Sequence, residues 1–257
     1  MKINFWNRVK PFVLFYLMTI GAIVAQNPEA LVRTKININS DWNYLENDTE
    51  KLSEIAQAKK WLAINLPHSW NSQDATDNEP GYRRSASWYK KQLAIPEIDA
   101  NKVYSLYFEG ANISTKVYVN GKEAGGHIGG YIGFAIDITN FITRGNNEIL
   151  VRVDNSYNIE IIPSQKSDFF IYGGITRDVW LETKSKNHIE NIQCSTPKVS
   201  KKWASLEAKA TVKNHLGFTY SAQLINPKGK LVASKNGNVS GQETLIKFDN
   251  IKNPELW

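Results

Sequence analysis

The chain has 257 residues, of which 42% are apolar and 11% are aromatic. A chain of this length can form one large domain or two smaller ones, each with a hydrophobic core. The formal net charge of +6 is spread along the sequence and forms no basic stripe that could follow a phosphate backbone. The composition therefore argues against a nucleic-acid-binding protein.

The N-terminus has the pattern of an export signal. Three basic side chains and no acidic one precede an apolar stretch over residues 11–25, which ends in Ala25. That stretch is short for a membrane-spanning helix and leads directly into polar residues, although a membrane anchor is the alternative. We predict a signal peptide over residues 1–25 and a secreted or periplasmic protein that has no membrane attachment after cleavage.

From about residue 28 the sequence alternates in the manner of short β-strands. One segment places Tyr104, Leu106 and Phe108 on one face, and another ends at Asn120-Gly121, a pair typical of a two-residue hairpin turn. Such segments recur about every ten residues, with turn residues between them. This spacing predicts an antiparallel sandwich or jelly roll and argues against alternating β and α units.

Helical character is confined to two segments of the chain. Residues 48–61 predict a loop with a short helical turn, and residues 137–145 predict a turn. A further strand over 147–155 would point Ile149 and its alternate neighbours inward, and Leu150 and Arg152 outward, or the reverse.

A second unit begins near residue 186 and is also predicted to be β-structure. Leu206, Ala208, Ala210 and Val212 alternate onto one face, and about five short strands fit into the remaining residues. That number suggests an immunoglobulin-like sandwich. Because such a sandwich usually needs one more strand, we expect it to be truncated at Trp257.

Cysteine and histidine usage indicates neither a disulfide nor a metal centre. Cys194 is the single cysteine and is predicted to be a small buried apolar side chain. The histidines, His68, His127, His188 and His215, are scattered without metal-ligand spacing. We therefore predict structural histidines, no metal and no cofactor.

Six stretches stand out for their order and natural spacing. They are Leu66–Asn71, Gly81–Lys91, Val117–Thr139, Val151–Asn155, Ser167–Leu181 and Asn253–Trp257. Together they resemble the N-terminal region of glycoside hydrolase family 2, the family of β-galactosidases, β-glucuronidases and β-mannosidases. The resemblance implies an all-β chain, with a jelly-roll sugar-binding domain over residues 28–185 and a partial immunoglobulin-like β-sandwich over 186–257.

The resemblance also implies the activity. In the family a (β/α)₈ barrel follows and carries the two glutamates of a retaining mechanism, so this chain is expected to be inactive by itself. The full-length protein is expected to be a glycosidase, most similar to a β-galactosidase. A β-glucuronidase or β-mannosidase is the alternative within the family, and a free-standing carbohydrate-binding protein is the alternative outside it. Expected partners are a carbohydrate substrate, the missing barrel domain and further copies of the same chain.

Two Asn-Glu pairs could imitate the acid/base motif of the family. Asn78-Glu79 precedes a proline in a polar loop, and Asn147-Glu148 opens a strand after a turn. A spacing alone does not make a site, so we predict that both pairs are solvated loop residues without a catalytic role.

The strongest site candidates lie between residues 168 and 179. By resemblance, Asp168 reaches the barrel mouth, where its carboxylate accepts hydrogen bonds from sugar hydroxyls and, in some members, helps to hold a cation. The alternative is a structural contact of Asp168 with Arg177 or a backbone N–H. Phe170 is predicted to stack on the sugar.

Four further residues are expected to build the turn that follows, and two more lie on a neighbouring loop. Gly173 and Gly174 would permit the tight turn, and Arg177 and Asp178 would pin it by a salt bridge. Tyr82 and Arg83 are predicted to border the substrate pocket, with a purely interdomain contact as the alternative.

Overall fold

The structure is a computed structural model and describes residues 33–78, 81–162, 170–214 and 216–254. The fold is all-β, as predicted. Residues 1–25, the predicted signal peptide, lie outside the described residues. Within the described ranges no helix is long and apolar enough to cross a bilayer.

The described residues up to 185 form short strands and one short helix. They are β1 (Thr34–Asn37), β2 (Trp42–Leu45), α1 (Leu52–Gln57), β3 (Leu62–Ile64), β4 (His68–Ser69), β5 (Ala86–Ile95), β6 (Lys102–Phe108), β7 (Ser114–Val119), β8 (Lys122–Ile128), β9 (Phe134–Asp137), β10 (Gly145–Asp154), β11 (Gly174–Ile175) and β12 (Val179–Ser185). The helix is the short helical segment that the sequence predicts between residues 48 and 61.

Two antiparallel sheets form the first sandwich. One has the strand order β1-β12-β6-β9, and the other has the order β3-β2-β5-β10-β7-β8. Apolar side chains from both sheets share one core, with Leu106 and Phe108 from β6 and Val117 and Val151 from the larger sheet completely buried. β4 and β11 form a separate two-stranded ladder.

The outer face of the larger sheet is also covered. Leu150 and Arg152 alternate with the core residues of β10, but they are only 5% and 8% exposed. Ile55 of α1 packs in the cluster that contains Leu150. The Arg152 guanidinium lies 3.1 Å from Asp154 and donates to the Asp48 carbonyl oxygen at 3.1 Å. The alternation predicted for β10 is therefore confirmed: Ile149 and its alternate neighbours lie in the core of the sandwich, and Leu150 and Arg152 lie on the outer face, which residues around α1 cover.

Asn147 disagrees with its prediction as a solvated loop residue. Its side chain is completely buried within β10. The amide donates to the Thr143 and Gly145 carbonyl oxygens at 2.8 and 3.0 Å and accepts a bond from the Asn120 amide at 2.8 Å. Asn147 therefore closes the turn before β10, while Glu148 is partly exposed; Glu79 lies outside the described residues.

Among its described residues the second unit has five strands, the number that the sequence predicts. They are β13 (His188–Val199), β14 (Trp203–Lys213), β15 (Thr219–Ile225), β16 (Leu231–Asn238) and β17 (Glu243–Lys252). β13, β14 and β17 form one antiparallel sheet in that order, and β15 pairs with β16 in another.

An apolar groove of about 610 Å³ separates the two sheets of the second unit. Leu206 and Val212 of β14 line it, as predicted from their alternation, and so does Cys194 of β13. Cys194 is exposed, so its prediction as a buried side chain is wrong. The physical reason is that β13 is an edge strand beside the groove and no described element packs over the thiol.

Candidate functional site

Two loops that are distant in sequence approach each other at one end of the first sandwich. Residues 82–85 lead into β5, and residues 170–173 lead into β11. β10 finishes at this same end, where Asp154 pairs with Ala86, the first residue of β5. This ladder therefore fixes where residues 82–85 end, and the ladder of β4 with β11 fixes where residues 170–173 end.

Aromatic side chains from these loops and Tyr157, which follows β10, form a row. The rings of Tyr82 and Phe170 have centroids 4.6 Å apart, and Phe170 lies 6.2 Å from Tyr172. The guanidinium of Arg84 lies 5.8 Å from the Tyr82 ring and 5.7 Å from the ring of Tyr157. We call these five residues the aromatic row. Tyr157 and Tyr172 are 49% and 42% exposed, so the row offers amphipathic ring surface to a ligand.

Asp168, the predicted sugar ligand, lies outside the described residues, which resume at Phe170. Its role and the cation predicted beside it stay predictions. Over the part of the chain that the structure describes, no three His, Cys, Asp or Glu side chains are grouped so that they could hold a metal ion.

Arg83 is placed differently from Tyr82. Its guanidinium donates to the Ala86 carbonyl oxygen at 2.6 Å and to the Ser87 hydroxyl at 2.9 Å, and its Nε lies 3.3 Å from a Glu46 carboxylate oxygen. It also lies over the Trp70 ring at 5.1 Å. These contacts make Arg83 an anchor of its loop, and its predicted contact with substrate gains no support from the geometry.

Two completely buried asparagines, Asn71 and Asn155, join the two loops. The Asn71 amide donates to the carbonyl oxygens of Arg83 and Ile171, both at 3.2 Å. The Asn155 amide donates to the same two oxygens at 3.3 and 2.9 Å. The Asn71 side-chain oxygen accepts the Gly173 N–H at 2.9 Å. The backbone beneath the aromatic row is therefore bonded through side chains.

Close approach of the backbone explains the two glycines. The residue before them, Tyr172, is held in place by the buried Asn112, whose side-chain amide donates to the Tyr172 carbonyl oxygen at 2.6 Å. A Cβ on Gly173 would lie 2.2 Å from the Trp70 ring, and Gly174 has a φ of +130°. Both positions therefore require glycine. At Gly173 there is no space for a Cβ, and at Gly174 the backbone conformation also favours glycine.

The salt bridge predicted between Arg177 and Asp178 is absent from the ion pairs of the described residues. The Asp178 carboxylate instead accepts the Asn39 amide at 2.9 Å, and the Asn39 side-chain oxygen accepts the Val179 N–H at 2.9 Å. The exposed Arg177 side chain lies along the backbone of Gly110. The uncharged Asn39 amide pins this turn because it can donate to the carboxylate and accept from the backbone at once.

An aromatic cluster lies beneath the loops. The Nδ1 atom of His68 lies 2.9 Å from the Tyr89 hydroxyl, and the Tyr44 ring packs on both. Burial lowers the pKa of His68 and raises the pKa of both tyrosines. These groups are therefore neutral near pH 7, which agrees with the structural role predicted for His68.

The buried asparagines were not among the site residues predicted from the sequence. Asn71 and Asn155 each end one of the six stretches that carry the family resemblance. Each follows a strand or a two-residue ladder, where a short amide can bond to irregular backbone. That position is the feature from which the sequence could have indicated a structural amide. It does not reveal which carbonyl groups the amide would reach.

The fold and the row define a class of protein: a β-sandwich with partly exposed aromatic rings on the loops at one end, joined to a second β-sheet unit. The sequence matches the family described as "Glycosyl hydrolases family 2, sugar binding domain" over residues 29–185. The chain belongs to glycoside hydrolase family 2.

Individual relatives extend the match beyond the first sandwich. A putative β-glucuronidase from Formosa agariphila is 55% identical over 227 residues, which are 88% of this chain and 28% of that protein. The crystal structure of a putative β-galactosidase from Bacteroides fragilis superposes with a TM-score of 0.78 at 30% identity, over 88% of this chain and 37% of that one.

A third relative is Bacteroides uniformis β-glucuronidase 2, solved covalently bound to cyclophellitol-6-carboxylate aziridine. It superposes with a TM-score of 0.75 at 32% identity, over 88% of this chain and 29% of that one. This chain therefore spans less than two fifths of the length of these relatives.

Proposed function

We propose that this chain is the non-catalytic N-terminal portion of a retaining β-glycosidase and that its aromatic row forms one wall of the substrate pocket. The observation that carries the proposal is the row itself, four rings and a guanidinium on loops that are held by buried amides. Two of the rings, Phe170 and Tyr172, come directly after residues 163–169 in the chain. Such a surface stacks on the apolar faces of a sugar ring. The adjoining Asp168 supplies the hydrogen-bond acceptor for the sugar hydroxyls.

The substrate proposed for the full-length protein is a β-glucuronide. The support is the 55% identity to a protein named a putative β-glucuronidase, together with the carboxylate-bearing compound covalently bound to the B. uniformis relative. A β-galactoside, the expectation from the sequence, is the second candidate, favoured by the similarity to the B. fragilis structure. Secretion or export to the periplasm is proposed from the pattern of residues 1–25.

The activity is tested by measuring hydrolysis of p-nitrophenyl β-glucuronide and p-nitrophenyl β-galactoside by the full-length protein and by the 257-residue chain. We expect the full-length protein to prefer the glucuronide and the shorter chain to hydrolyse neither. Turnover by the 257-residue chain would contradict the non-catalytic role, and a preference for the galactoside would select the second candidate.

The contribution of Asp168 is tested with Asp168→Asn in the full-length protein. Loss of a charged hydrogen bond costs about 1.5–3 kcal/mol, so kcat/KM is expected to fall roughly 10- to 100-fold. Asp249→Asn, at an exposed position of β17, is the control and should leave kcat/KM unchanged. Equal rates for both variants would remove Asp168 from the site.

A further inference from the structure

We propose that Asn71 and Asn155 are paired positioning residues that set the separation of the two loops carrying the aromatic row, and thereby the binding of the sugar. This inference rests on the proposed function. Both side chains are completely buried, so neither touches a ligand at the surface. They act through the backbone to which they are bonded.

The pair is built around two carbonyl groups. The oxygens of Arg83 and Ile171 each accept a bond from both amides, at distances between 2.9 and 3.3 Å. Arg83 lies between Tyr82 and Arg84 in the chain, and Ile171 lies between Phe170 and Tyr172. The two halves of the row therefore cannot separate unless these bonds break.

Both sites require an amide. While its nitrogen donates to the carbonyl groups, the Asn71 oxygen accepts the Gly173 N–H at 2.9 Å and the Ser69 hydroxyl at 2.9 Å. The Asn155 oxygen accepts the Ser85 N–H at 3.0 Å. Among the short side chains, only that of asparagine donates two hydrogen bonds and accepts others at the same time.

Substitutions of Asn71 or Asn155 should therefore displace the rings of the aromatic row. Leucine has nearly the shape of asparagine but leaves the carbonyl groups and the bonded N–H groups without partners. Aspartate keeps the acceptor but, when ionised, turns a charged oxygen towards two carbonyl oxygens. In either variant the loops separate, and a displacement of about 1 Å between binding groups can cost on the order of 100-fold in rate.

Asn147 offers a matched control. It is as completely buried as Asn155 and donates to the Thr143 and Gly145 carbonyl oxygens. It lies near the start of β10, however, whereas Asn155 follows the last residue of that strand. Asn147→Leu should therefore destabilise the same sandwich at its opposite end without reaching the aromatic row.

The experiment compares Asn155→Leu, Asn71→Leu and Asn147→Leu in the full-length protein. We expect KM for the preferred p-nitrophenyl glycoside to rise at least about 10-fold for the first two and to stay within about twofold for the control. Amide hydrogen exchange should accelerate at Ser85 in Asn155→Leu and at Gly173 in Asn71→Leu, the N–H groups that lose their acceptors, but not in the control.

If the leucine variants do not fold, Asn155→Asp provides the test. Protonation of the aspartate restores one donor, so the ratio of its kcat/KM to that of the wild type should rise as the pH falls. If Asn155 did not position the row, the ratio of the two kcat/KM values would not change with pH.

Two failures can be distinguished. A full-length protein that hydrolyses neither glycoside contradicts the proposed function, and hydrogen exchange then tests whether the asparagines hold the loops. If the full-length protein is active, but its KM and its amide hydrogen exchange change equally in Asn155→Leu and Asn147→Leu, the positioning role is wrong and the proposed function stands.

Discussion

Gly174 is the residue at which backbone geometry constrains the site most severely. It combines a φ of +130° with a position where a Cβ would lie 2.3 Å from the His68 carbonyl oxygen and 2.8 Å from the Tyr89 hydroxyl. The first of these neighbours is backbone and cannot rotate away. Asn71, Asn112 and Asn155 bond the chain on the N-terminal side of this glycine, so relaxation in that direction is also restricted.

Gly174→Ala is expected to lower the free energy of unfolding by roughly 2–4 kcal/mol, because backbone strain and a steric clash add. Gly145→Ala is the control, since Gly145 has a similar φ of +97° but no atom within 4 Å of its Cβ position. It should lose only about 1 kcal/mol. Urea unfolding followed by tryptophan fluorescence measures both, and equal losses would show that the close contacts do not matter.

His68 gives the sandwich a pH dependence of stability. Burial lowers its pKa below the ordinary 6.5, so the unfolded chain takes up a proton at a higher pH than the folded chain. Stability therefore decreases as the pH falls below about 6.5 and becomes constant once the folded-state pKa is passed. Asp154 acts in a lower range: burial alone would raise its pKa, but hydrogen bonds from Ser156 and the charge of Arg152 outweigh burial and lower it.

We expect His68→Gln to lose less stability than the wild type between about pH 7 and pH 5, by up to about 1.4 kcal/mol for each unit of difference between the two pKa values. Urea midpoints at pH 7, 6 and 5 measure this. Below the folded-state pKa of His68 the curves should run parallel, because the carboxylates that titrate there are common to both proteins. Parallel curves over the whole range would show that His68 is not the titrating group.

At the scale of the secondary-structure elements, α1 has an influence beyond its six residues. Ile55 is 2% exposed and packs with Trp88, Tyr118 and Leu150 on the outer face of the larger sheet. This second cluster explains why both faces of β10 are buried. The strand whose side chains were predicted to alternate inward and outward is thus a central strand between two apolar layers.

Ile55→Ala is expected to lower the free energy of unfolding by about 2–4 kcal/mol through lost burial and the cavity that remains. Leu62→Ala removes a side chain that is 60% exposed and should cost less than about 1 kcal/mol. Differential scanning calorimetry of both variants measures the difference. Similar melting temperatures would mean that α1 does not stabilise the sheet.

At the scale of the whole molecule, the two units differ in how completely they bury apolar surface. In the first, the facing sheets share a closed core. In the second, β13 and β15 each have an outer edge that no strand of the described residues pairs with, and the groove between the sheets exposes Ile189, Ile192 and Phe218. Cys194 lines this groove and is exposed, so the reactivity of its thiol measures how accessible the groove is.

Cys194 in the native 257-residue chain is therefore expected to react with an aromatic disulfide reagent at a rate within about tenfold of the rate in urea, because an exposed thiol needs no unfolding to react. Cys194→Ser provides the blank. Protection by several orders of magnitude would show that the groove is closed in solution.

Much of the fold could be predicted from local patterns. The all-β class, the hairpin at Asn120-Gly121 and the inward faces of β6 and β14 follow from alternation and turn chemistry, which are properties of neighbouring residues. Tyr82 and Phe170 were named as site residues from the family resemblance, and they do lie in contact. The exposure of Cys194 could not be predicted, because it depends on which elements pack over β13.

The sequence by itself determined the strand pattern, the turns and the family, because short-range periodicity and ordered motifs encode them. Only the tertiary structure decided which polar side chains are structural. Asn71 and Asn155 meet the same two carbonyl groups from positions 84 residues apart, and Asn147 is buried where a solvated residue was expected. An amide can bond to any backbone group it reaches, so its partners are fixed only when the sheets bring distant loops together.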